Sequence, residues 1–149
     1  MIIKQSKKKI IIDNVEQLRT FFNKANNSHY IWVGYNCRNY DSVILKGLLL
    51  GENAWELNDK LINKGLNAYQ VLGDKREEYP FINFDISDKF HSLKQLEGFM
   101  GQLIKESDID FTIDRLLTKE EIDKTIYYCT HDVEQTIERS EERRVGKEC

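Results

Sequence analysis

Short β-rich runs alternate along the chain with stretches whose apolar residues recur at helical spacing. Ile10–Ile12 reads as a short β run. Asp13 or Asn14 can cap a helix over 15–24, with Leu18, Phe21 and Phe22 on one face. Residues 30–35, YIWVGY, are nearly all apolar, the pattern of a strand buried on both faces. Asp41 is placed to cap a helix that ends at Gly51, with Ile44, Leu45, Leu48 and Leu49 facing inward. Asn53 and Glu56 stand at capping-box-like spacing and open a further short helix to Lys64. Residues 73–80, GDKREEYP, read as an exposed loop, and 81–86, FINFDI, alternate as a strand does. Ser92 and Gln95 fit the cap of a helix ending at Gly101, with Leu93, Leu96 and Met100 inward. Thr118 and Glu121 open a long last helix to about Arg139. Its apolar stripe is Ile122, Ile126, Cys129, Val133 and Ile137. Strands alternating with helices predict an α/β domain.

Composition narrows this picture in three ways. A chain of 149 residues suits one domain with one core. A net charge of −3 argues against wholesale coating of nucleic acid, while leaving room for a nuclease, whose metal site needs carboxylates. Three cysteines without CxxC spacing argue against a disulfide framework or a zinc site and point to a reducing, cytoplasmic setting. The longest apolar run, 43–50, is broken by Lys46 and Gly47 and is too short to span a bilayer, so no membrane partner is expected. The final residues, 140–149, SEERRVGKEC, have no apolar period and are expected to be a non-native tail.

Two stretches carry candidate chemistry. Asn36 and Asp41 sit at the seam between a strand and a helix, where Asn and Asp are also the ordinary turn and cap residues. A carboxylate at a helix N-terminus is favoured as the anion, which suits a metal ligand as well as a cap. On the last helix, Tyr128 and Asp132 point the same way, about a quarter turn from the apolar stripe. That is a border of core and solvent, where a side chain is anchored yet faces a cleft. The plain reading is a boundary tyrosine and a solvated aspartate. His29, His91 and His131 are scattered and read as structural or solvated.

Taken together the stretches resemble a known group. NCRNYD has the N-x-x-x-[FY]-D form of the second motif of the DEDD exonucleases. YCTHD, from Tyr128 to Asp132, has the Y-x-x-x-D form of the third motif in the tyrosine-containing branch. The two come in the right order, and FINFDISD followed by HSLKQLEGFMG resembles the strand and SLK-x-L helix found between them. The likeness covers residues 10–139 and is nearest to the 3′–5′ proofreading exonuclease domain of DNA polymerases, particularly phage and prophage enzymes.

The resemblance implies an RNase H-like α/β fold and removal of 3′-terminal nucleotides from single-stranded DNA. In that group four carboxylates hold two divalent ions, Mg²⁺ or Mn²⁺, which activate water and stabilise charge on the scissile phosphate. Asp41 would be the second-motif carboxylate and Asp132 the third-motif one, both metal ligands. Tyr128 would orient the attacking water. Asn36 would brace the strand–helix turn or touch substrate. Arg38, Tyr40, Phe90 and Lys94 are candidates for holding the strand. The implied partners are a single-stranded DNA 3′ end and the remainder of a polymerase chain, and the implied setting is the cytoplasm of a bacterium or phage-infected host.

The group's first motif, D-x-E on its first strand, is missing. Asp13 and Glu16 stand at D-x-x-E spacing where a helix begins, and in a strand that spacing puts the carboxylates on opposite faces. Residues 1–139 are therefore expected to be an incomplete, N-terminally truncated exonuclease domain, weak or inactive alone, with unpaired strand edges. The alternatives are a non-catalytic RNase H-like module that binds nucleic acid or a replication protein, and an unrelated α/β domain.

Overall fold

The computed structural model describes residues 10–87, 92, 93, 95, 98 and 115–145, the side chains of 142–145 excepted. Its described part is mixed α/β, mostly helical, with a two-stranded parallel sheet. The chain divides into two compact units. Of the described residues, one takes 10–31 and 38–82, and the other takes 32–37 and those from 83 onward.

The first unit begins with α1, Val15–Asn27. Asn14 caps it, its side chain accepting from the Gln17 N–H at 2.9 Å. Phe22 and Ala25 are the residues of α1 that are buried. The Phe22 ring meets Tyr79 and Phe81 edge-on at centroid distances of 5.8 and 5.9 Å. The second helix, α2, spans Asp41–Leu50 and ends in left-handed Gly51 (φ 87°). Glu52 N–H donates to the Gly47 carbonyl and Gly51 N–H to that of Leu48, which is the Schellman closure. Arg19 adds a side-chain closure, its guanidinium donating to the Leu49 carbonyl at 3.0 and 3.3 Å.

Helix α3, Ala54–Asn58, is capped by Asn53, which accepts from Trp55 and Glu56, and continues into a π turn, Asp59–Asn63. Helix α4, Ala68–Leu72, was not foreseen; Asn67 and Gln70 form a reciprocal capping box at its start. The predicted loop 73–80 opens as a 3₁₀ turn, Gly73–Glu77. Lys46 ties that turn to α2, donating to the Arg76 carbonyl at 2.6 Å and lying 5.6 Å from the Phe81 ring centroid. Val43, Leu57, Leu61 and Leu72 are the buried centre of this unit. Gly47 lets α2 approach Leu57 there, since a methyl group at 47 would overlap the Leu57 side chain.

In the second unit β1, Trp32–Gly34, pairs in parallel with β2, Asn83–Asp85, with Val33 opposite Phe84. The last helix, α5, spans Lys119–Val145 and packs against β1. Thr118 and Glu121 form the expected capping box, at 2.7 and 3.3 Å. Arg115 clamps the same carboxylate through both terminal nitrogens, at 2.8 and 2.9 Å. Ser92 and Gln95 also cap each other reciprocally. Leu96, Met100 and the end of that helix lie outside the described residues.

Four expectations need correction. Ile10–Ile12 is not a strand among the described residues, because a β run needs a neighbour to pair with. Residues 30–35 yield only a three-residue strand, and Val33 and Phe84, side by side on one face, are both about half exposed, so that strand is not buried on both faces. Asp41 is the first residue inside α2 and not its cap; that position falls to Tyr40, whose carbonyl accepts from Val43 and Ile44. Finally, α5 runs past Arg139 to Val145, carried by good helix formers, and its apolar stripe faces outward: Val133 is 59 % exposed and Gln135 is buried. Among the described residues no helix is long and apolar enough to cross a membrane.

Candidate functional site

The predicted residues fall on three local frames. Asn36 lies just past the end of β1 with φ 51°, a left-handed conformation that Asn tolerates better than most residues. Its backbone N–H donates to Asp85 Oδ1 at 2.9 Å, and Ser87 N–H donates to the same oxygen at 3.0 Å. Asp85 thus joins the carboxyl ends of both parallel strands. The sequence reading passed over it, although a strand ending in Asp followed two residues later by Ser is an Asx-turn signal. Cys37 is buried alongside, its Sγ 3.4–3.5 Å from the Asn83 amide. The turn is tight: a methyl group on Gly34 would lie 2.6 Å from Cys37 Cβ and Sγ.

In the first unit Asp41 is exposed in the first turn of α2, where the helix dipole favours its negative charge. Tyr40 beside it donates its hydroxyl to Asn58 Oδ1 at 2.7 Å. Burial lifts the Tyr40 phenol above its ordinary range, and the Asp41 charge adds to that rise. A second charge therefore does not easily arise beside Asp41.

On α5, Tyr128 is half-buried with its ring edge-on to Tyr127 at 5.6 Å, and Asp132 is exposed one turn later. The helix places them on one side, about 6 Å apart along its axis. Gln135 continues the same side, at i+3 from Asp132 and i+7 from Tyr128, and is 7 % exposed. Its Oε1 is buried and has no hydrogen-bond partner among the described residues. Sequence reading missed it; a polar residue repeating the Tyr128–Asp132 direction was the available signal.

Divalent ions of the expected kind need several converging oxygens. Among the described residues no group of three or more His, Cys, Asp or Glu side chains is placed to hold a metal ion. By the resemblance, Asp41 in the first unit and Asp132 in the second would each be one of the four carboxylates of a two-ion site of the expected kind. An open cleft of about 360 Å³ in the first unit, lined by Asn26, His29, Tyr30, Pro80, Phe81 and Ile82, contains none of the predicted residues. Phe90, Lys94 and His91 lie outside the described residues. Searches against family models, curated proteins and solved structures return no match for this chain.

Proposed function

We propose that the chain is part of a DEDD-type 3′–5′ exonuclease domain of the tyrosine-containing branch, with an RNase H-like fold, acting on the 3′ end of single-stranded DNA. The observation that carries this reading is the ordered pair of motifs, Asn36–Asp41 after a strand and Tyr128–Asp132 within a late helix. The local settings support it. Tyr128 is anchored by packing while Asp132, one turn away, is open to solvent. The phenol is suited to hydrogen-bond an attacking water, and the two aspartates are hard-oxygen donors suited to Mg²⁺ or Mn²⁺. Asn36, fixed in a left-handed turn by Asp85, would keep the turn before Asp41 in one conformation. With D-x-E missing from the chain, hydrolysis by it alone is expected to be slow.

The test uses a 5′-labelled single-stranded oligonucleotide, followed with Mn²⁺ both for shortening and for binding by fluorescence anisotropy. The expected result is Mn²⁺-dependent retention with slow, stepwise shortening from the 3′ end. Both responses should be lost in Asp41→Ala and Asp132→Ala, and Tyr128→Phe should slow shortening about tenfold or more, as for loss of a water-orienting group. Retention indifferent to Mn²⁺ and to all three substitutions would overturn the enzyme reading in favour of a non-catalytic nucleic-acid-binding module, for which the missing D-x-E is the supporting observation.

A further inference from the structure

Helix α2 opens differently from its neighbours in the first unit. Helices α1, α3 and α4 are each capped by an asparagine whose side chain accepts from the first turn. The cap position of α2 is Tyr40, which makes no side-chain cap bond there. Its carbonyl accepts from Val43 and Ile44, and its hydroxyl donates to Asn58 Oδ1, on α3, at 2.7 Å. The motif form of residues 36–41 takes Phe or Tyr at this position, so the hydroxyl bond is particular to this chain and no requirement of the motif.

The backbone that carries Asn58 is held on both sides. Leu57, just before it, packs with Val43, Leu61 and Leu72, so α2 and α3 are anchored to each other close to the Tyr40–Asn58 bond. Asp59, just after it, accepts from Asn63 at 3.0 Å and pairs with Lys64 at 2.7 Å across the π turn. A π turn of this kind recurs at functional sites. Asp41 follows Tyr40 directly and is exposed in the first turn of α2. A ligand is held in place by the groups behind it, and the group behind Asp41 is Tyr40. We propose that Asn58 is a positioning residue. By accepting from the Tyr40 hydroxyl it fixes the first turn of α2, and with it the Asp41 carboxylate, in place for a divalent ion. The ion rests on the exonuclease reading; the hold of Asn58 on α2 does not.

The test titrates Mn²⁺ into the full chain with a 5′-labelled single-stranded oligonucleotide and reads retention by fluorescence anisotropy. Asn58→Ala is expected to raise the half-saturating Mn²⁺ concentration about tenfold, as for loss of a group that supports a metal ligand. Tyr40→Phe keeps the ring and loses the hydroxyl, and should raise it equally. The double variant should be no worse than either single one, because both remove the same bond. Melts followed by circular dichroism set each titration well below unfolding, so a loss of stability alone leaves the half-saturating concentration unmoved. Without metal, Asn58→Ala should shift the backbone amide resonances of Asp41, Ser42 and Val43. An unchanged half-saturating concentration in Asn58→Ala, or effects of the two substitutions that add, would overturn the proposal and leave the exonuclease reading standing. Unmoved amide resonances at Asp41, Ser42 and Val43 would overturn it as well. Wild-type retention indifferent to Mn²⁺ would overturn that reading and the proposal with it.

Discussion

Gly34 sits where a methyl group would meet both the Cβ and the Sγ of Cys37 at 2.6 Å. The Cβ of Cys37 is fixed to the backbone, so the conflict cannot be relieved by turning a side chain. Gly34→Ala is therefore expected to cost about 1–3 kcal/mol, the range for overpacking a closed site, read as a lower urea midpoint with an unchanged slope. Gln135 poses the opposite problem. Its Oε1 is desolvated and, among the described residues, unpaired, a cost of about 1–3 kcal/mol that an apolar residue of similar size avoids. Gln135→Leu should raise the melting temperature by about 3 °C for each kcal/mol recovered. A lower melting temperature would mean that the amide is satisfied after all. The Gly34 conflict is with Cys37, three residues along the chain, whereas the burial of Gln135 depends on how α5 packs, which its own neighbours in sequence do not show.

Several helix starts, in contrast, were legible because their chemistry is local, although the cap of α2 falls to Tyr40 and not to Asp41. Asn14, Asn53, the Ser92–Gln95 pair and the Thr118–Glu121 pair all do what their spacing announces. Asn67-Ala-Tyr-Gln70 announced α4 in the same way and was passed over. Strand length and helix facing were not legible, since they depend on which surfaces meet. The α5 stripe has ordinary core spacing, and only the structure shows that it faces outward. The start of α5 also has a pH dependence of known sign. The Arg115 guanidinium and the bonds with Thr118 hold the Glu121 carboxyl down at about 2, against 4.5 for an unconstrained glutamate. A depressed carboxyl favours the folded form above the unconstrained value, and that contribution fades as pH falls from 4.5 towards about 2. Asp59, held low by Lys64 and then by Asn63, acts in the same direction elsewhere. Stability of the wild type should therefore fall across this range, and Glu121→Gln should flatten part of the fall. Thermal melts of the two proteins at matched pH values between 5 and 2 give the comparison; identical pH profiles would show that the clamp contributes nothing.

At the scale of the whole molecule, the sequence located candidate residues without locating their partners. Asp41 and Asp132 were found through motif form, which is local, whereas a metal site is an agreement among distant segments. Topology also links the stability of the two compact units. The paired strands of the second unit, β1 and β2, flank residues 38–82, which belong to the first. When that segment is folded, its ends are already fixed. When it is unfolded, pairing Trp32–Gly34 with Asn83–Asp85 must close a flexible loop, at a length-dependent cost of about 3 kcal/mol. A defect in the first unit should then weaken the second through the chain alone. Leu57 is 1 % exposed at the centre of the first unit, and Leu57→Ala is expected to cost about 2–5 kcal/mol. The tryptophans provide the readout: Trp32 is half-buried in β1, and Trp55, in the first unit, is 70 % exposed and changes little on unfolding. Leu57→Ala should move the Trp32 fluorescence transition in urea to lower concentration together with the helical signal. If the fluorescence midpoint stays in place while the helical signal shifts, the strands pair without the folded segment between them, and the loop argument fails.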